Sequence, residues 1–168
     1  MRGLPIVLAA MLLASCGEQP KDERETVDSE TVDSETVDKA LAGKPLPVEL
    51  VPFRLPDIEK HQLYGTSCAF AAEGGGLGAV AMAMEEVGYL KIGKEVLRFA
   101  ADKGSAEMPF GTRSEYDGLA QSFELEAASG TPPQPSGGSV TFPGRLTVRD
   151  DRERVVYDRR GEIQCNRS

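Results

Sequence analysis

Few residues in this 168-residue chain have side chains suited to chemistry: three cysteines, one histidine and a scatter of carboxylates. A thiol becomes a useful nucleophile only beside a base or a positive charge. His61 is the single imidazole, and its place seven residues before Cys68 implies no spatial contact. One histidine and no closely spaced cysteine pair exclude the usual zinc spacings. Glu107, Glu115, Asp117, Glu124 and Glu126 offer acid–base groups, but hydrolysing a glycoside needs two carboxylates facing each other across a cleft. Glu124 and Glu126 alternate with Phe123 and Leu125, which turns them toward solvent if the segment is a strand. Asp150, Asp151 and Glu153 interleave with Arg149, Arg152 and Arg154, the pattern of a solvated hairpin tip. No catalytic, cofactor-binding or metal-ligating residue is assigned on these grounds, and a protein without enzymatic activity is expected.

One glycine pattern resembles a nucleotide site. Gly74, Gly76 and Ala79 fit G-x-G-x-x-A after the strand-like run Cys68–Ala72. In the dinucleotide fingerprint those glycines let the backbone approach a pyrophosphate at the start of a helix. Here the residues after Ala79 alternate as a strand as readily as they wind into a helix. The remaining chain is also too small for two βαβ halves. A glycine-rich turn between strands is the simpler expectation, and no cofactor is expected.

The N-terminus has a different chemistry. Arg2 precedes an apolar run from Leu4 to Ala14, and small residues stand before Cys16. Charge, a short apolar stretch and a small-residue cleavage site make a secretory signal over residues 1–15. A membrane span needs about 20 apolar residues, more than this run supplies. Leu13-Ala14-Ser15-Cys16 resembles the lipobox of bacterial lipoproteins. The resemblance implies cleavage before Cys16 and fatty acylation of that residue, with two lipid signals sufficing for stable anchoring. Gly17 stands where that family's inner-membrane retention signal has Asp, so the resemblance points to the outer membrane, facing the periplasm. With Cys16 lipidated, Cys68 and Cys165 remain in an oxidising compartment, and a disulfide between them is expected. A reactive Cys68 is the alternative.

Residues 16–44 read as a disordered acidic tether. A pentad, Glu-Thr-Val-Asp-Ser/Lys, repeats three times over residues 25–39. Its period of five fits neither a helix face nor a strand face, and one valine per repeat leaves little to bury. Much of the chain's net charge of −8 lies in this stretch. Four prolines, Pro45, Pro47, Pro52 and Pro56, predict an extended lead-in over residues 45–61.

Residues 62–168 form one small domain with few aromatics and no Trp. Short alternating runs recur between glycine-rich turns, and Gly93-Lys94 between two such runs is a type II′ hairpin signal. The pattern predicts an all-β fold, a small antiparallel sandwich or barrel. The competing assignment is a single short helix over residues 79–87 or 94–102, where good helix formers gather. The segment 130–138, rich in Pro, Gly and Ser, is read as a surface connector or, alternatively, a recognition loop.

Cysteines near the first and last strands, a lipobox and an all-β domain are similar in layout to the membrane-bound inhibitors of c-type lysozyme. Their Ser-Gly-x-x-Tyr loop has an echo in Ser114-Glu115-Tyr116-Asp117-Gly118. The expected function is non-enzymatic: an envelope lipoprotein held to the membrane by its lipid, whose β domain binds a protein or peptidoglycan partner. The alternatives are a cell-wall hydrolase and a lysozyme-inhibitor-like binder. No nucleic-acid partner is expected of so acidic a chain.

Overall fold

The computed structural model describes residues 43–168 apart from Leu77 and Ser136. The expected signal segment 1–15, Cys16 and the pentad stretch of the expected tether lie outside the described residues. Among the described residues one α-helix, α1 (Leu55–His61), precedes eight strands: β1 (Ser67–Ala72), β2 (Ala81–Ala83), β3 (Val87–Ile92), β4 (Glu95–Ala101), β5 (Glu115–Asp117), β6 (Gln121–Ala127), β7 (Ser139–Asp150) and β8 (Val155–Asn166). They pair antiparallel in sequence order, and β8 returns to β1, so the sheet closes into a barrel. Closure removes the free edges that an open sheet of this size would have to protect.

The lumen is filled rather than hollow, as an eight-stranded barrel allows. Phe70, Leu90, Tyr116, Phe123, Leu125, Leu146, Val148 and Ile163 are buried within it. Tyr116 stacks on Phe123 with ring centroids 4.9 Å apart, and Phe99 meets Phe123 edge-on at 5.1 Å. Closure needs small residues where the wall bends. Gly144 and Gly161 face each other across β7 and β8, and a Cβ on Gly161 would lie 2.1 Å from the Ala71 carbonyl oxygen. Mid-strand residues on the outer wall include the exposed Glu124, Glu126, Arg98, Asp158 and Glu162. A lipid-embedded barrel instead presents an apolar band there.

Both segments offered as possible helices are strands. Residues 81–83 form β2, and residues 95–101 form β4. Helix propensity loses here to packing: Ala81 and Ala83 point into the crowded lumen beside Leu90 and Gly88, while Met82 points outward. The β3–β4 hairpin turns on Gly93, whose φ of +57° suits the first position of the two-residue loop.

The helix lies instead in the lead-in, which is a correction to the extended reading of residues 45–61. Pro56 sits in the first turn, where its missing N–H has no intrahelical partner to lose. The Arg54 N–H donates to the Asp57 carboxylate at 2.7 Å, and Gln62 ends the helix in the left-handed conformation. Residues 43–61 also belong to the same compact unit as the barrel, not to a separate lead-in. Leu50 bridges to Ile92, the Val48 N–H donates to the Val156 carbonyl, and the Phe53 N–H donates to the Ala79 carbonyl. β1 pairs with β8 only from Gly161 onward, so this strap covers Val156, which β1 does not reach. Phe53, Leu63 and Met82 form a second apolar cluster on the outer wall, roofed by α1.

Strand alternation gives the barrel two distinct ends. The β1–β2, β3–β4, β5–β6 and β7–β8 connections share one, the turn end. The β2–β3 turn and the longer β4–β5 and β6–β7 loops share the other, the loop end, together with the C-terminus. Gly43 lies at the turn end, where its carbonyl accepts from the Arg154 guanidinium at 3.0 Å.

Candidate functional site

The loop end carries a groove of about 660 Å³. One wall is the short 3-10 turn Pro109–Gly111 with Met108 and Glu107, and the other is Thr131 to Pro135. Glu85 of the β2–β3 turn and Arg167 complete the lining. Phe110 has φ +62° and ψ 28°, a left-handed conformation that costs a residue with a Cβ about 1–2 kcal/mol. Such strain persists only where surrounding structure holds it. Here the Thr112 hydroxyl, fully buried, donates to the Pro109 carbonyl at 3.0 Å, and the Met108 N–H donates to the Thr112 carbonyl. Arg167 lies over the Phe110 ring, 5.0 Å from its centroid, a cation–π contact at the groove edge. The backbones of Glu107 and Arg113 pair as an isolated antiparallel bridge at the base of the same loop.

The groove contains a flat aromatic, a row of prolines, two carboxylates and one guanidinium. It has the chemistry to hold an extended chain through apolar and charged contacts. Sequence reasoning marks the segment 130–138 and Glu107, but it passes over Phe110, Arg167 and Glu85. The Met108-Pro109-Phe110-Gly111 run is the available signal, since Pro and Gly bracket an aromatic that must lie in a turn.

The other singled-out residues lie elsewhere. Cys68 and Cys165 form a disulfide, fully buried, between directly paired positions of β1 and β8. That accounts for both thiols and removes a reactive Cys68; His61 ends α1 on the outer wall. Gly74 and Gly76 occupy the β1–β2 connection, and the next regular element is strand β2, so the helix start that a pyrophosphate requires does not follow them. Glu115 and Glu124 face each other directly on β5 and β6. Burial, then the charges of Asp117 and Glu124, raise the Glu115 carboxyl above its usual range. Both stand on the convex outer face with Glu126, not across a cleft. Asp150 accepts from the Arg152 and Arg154 backbone N–H groups and from the Arg154 guanidinium, which holds its carboxyl down at about 2. With Asp151 and Glu153 it forms the β7–β8 turn. Among the described residues no group of three or more His, Cys, Asp and Glu side chains is placed to hold a metal ion.

Tyr116, the centre of the Ser114–Gly118 echo, is fully buried in the lumen. Its hydroxyl donates to the Met84 carbonyl at 2.6 Å and accepts from the Arg113 N–H at 2.9 Å. The tyrosine of that echo is therefore not on the surface. Comparison with protein-family models, with curated proteins and with solved structures finds no match to this chain.

Proposed function

We propose that this chain is a cell-envelope lipoprotein whose barrel binds a protein or cell-wall partner at its loop end. Residues 1–15 are its export signal, acylated Cys16 is its anchor, and the outer membrane facing the periplasm is its location. The observation that carries the binding role is the groove built around the left-handed Phe110, at the opposite end of the barrel from Gly43. The barrel bridged by a disulfide suits an oxidising compartment, and the lipobox-like Leu13–Cys16 suits the anchor.

Two measurements test it. A Cys16→Ala chain should leave the membrane fraction; retention there would overturn the anchor. Capture of partners from envelope extract, with isolated peptidoglycan and lysozyme as defined probes, should be lost in Phe110→Gly. Glycine adopts the same backbone without strain, so the fold is kept while the ring is removed. Binding that survives this change moves the site away from the groove, and turnover of peptidoglycan by the chain would make it an enzyme.

A further inference from the structure

Five large apolar side chains stand exposed among the described residues: Leu46, Leu55, Tyr64, Leu119 and Val155. Three of them gather at the turn end. Leu119, at the tip of the β5–β6 turn, is 106% exposed relative to an unfolded reference, Leu46 is 81% exposed and Val155 is 44% exposed. Leu46 and Leu119 flank two hollows that share Gln121, Asp150 and Asp151, so both adjoin the β7–β8 turn. Val155 opens β8 directly after that turn. Gly43, the first described residue, lies at this same end, beside Arg154.

We infer that the turn end is a lipid-docking surface, on which the barrel rests with Leu119 and Leu46 inserted among the headgroups. This rests on the anchored reading above, because a tethered barrel meets the bilayer at high effective concentration. Isolated apolar residues on a surface need no explanation, but several on one end, beside the point of attachment, form a shallow interfacial anchor. Charge around them is balanced. Lys44, Arg149 and Arg152 stand against Asp117, Asp151 and Glu153, while Asp150 is held by Arg154. Docking therefore does not depend on anionic lipid, and high salt leaves it in place. The groove at the loop end then faces away from the membrane.

The absence of Trp from the sequence makes the test direct. Leu119→Trp places a single reporter at the tip, Leu46→Trp is a second, and Tyr64→Trp is a control near the loop end. The full processed chain is placed in phosphatidylcholine vesicles with bromine on the acyl chains. A parallel sample carries a maleimide lipid coupled at Cys16, the one thiol outside the disulfide, so that docking is read whether or not the cell acylates that residue. Indole fluorescence of the Leu119→Trp and Leu46→Trp chains should be quenched and blue-shifted, in low and high salt alike, with the Tyr64→Trp chain unaffected. Lack of quenching at both tips in the coupled sample overturns docking, as does quenching at position 64 instead. A blue shift without vesicles that grows with protein concentration shows a second copy covering this end, and also overturns it. Quenching in the coupled sample, beside a native chain that carries no lipid, removes the anchor and keeps the docking surface.

Discussion

Tyr116 joins three parts of the chain through one phenol. Its ring fills the lumen against Phe123, and its hydroxyl satisfies the Met84 carbonyl and the Arg113 N–H. Tyr116→Phe keeps the ring and strands both backbone groups, so it should cost about 1–3 kcal/mol in urea denaturation. Burial pushes the phenol up to about 12 in the folded protein, against a value of about 10 when unfolded. A raised folded value means its stabilising share is complete below about pH 10 and is lost as pH climbs toward about 12. The phenylalanine variant should show a shallower alkaline decline, the half-buried Tyr157 supplying what remains. At Glu115 the sign gives the opposite use: its carboxyl is raised by burial and by Asp117 and Glu124. Glu115→Gln should match or exceed the parent stability at neutral pH, with the difference fading as acid protonates the parent side chain. None of this is visible in composition. The burial of Tyr116 within Ser114-Glu115-Tyr116-Asp117-Gly118 follows only from its strand partners.

The strap and α1 show how an element can be misread from its prolines. Pro45, Pro47, Pro52 and Pro56 each restrict the chain, yet only a proline beyond the first turn would break the helix. What fixes the segment is tertiary: Phe53 packs with Leu63 and Met82, and buried Lys91 of β3 pairs with Asp57. The hydrogen bond from Lys91, followed by that from the Arg54 N–H, holds the Asp57 carboxyl below its usual range. Phe53→Ala should lower stability by about 3–5 kcal/mol, the cost of a buried phenylalanine. A free lead-in would lose nothing, so the change in denaturation midpoint separates the two descriptions. The strands are easier to read, because period-two alternation survives in β6, β7 and β8, where inward and outward residues differ sharply. In β2, also alternating, all three residues are buried because one face lines the lumen and the other lies under the helix side.

At the scale of the whole molecule, the seam between first and last strands is what makes a barrel from a meander. Cys68 and Cys165 cross it with a sequence separation of 97. A double Cys68→Ala, Cys165→Ala chain should lose about 2–5 kcal/mol, read as a lower thermal midpoint. Reduction of the parent should move its midpoint the same way. Mass spectrometry without reductant should find neither cysteine open to alkylation. The barrel also separates two surfaces, one beside Gly43 and one built from the long loops.

By itself the sequence determined the all-β class, most strand positions and the Gly93-Lys94 turn, because alternation and turn chemistry are local properties of the backbone. It also carried the lipobox-like Leu13–Cys16, a linear signal that needs no fold. Only the tertiary structure decided barrel over sandwich, since closure depends on β8 pairing with β1 across nearly the whole domain. It alone brought Phe110, Arg167 and Pro132 to one groove, and Leu46, Leu119 and Val155 to one end. Residues distant in the chain become neighbours through strand register, and register is set by how a complete set of side chains fills a common interior.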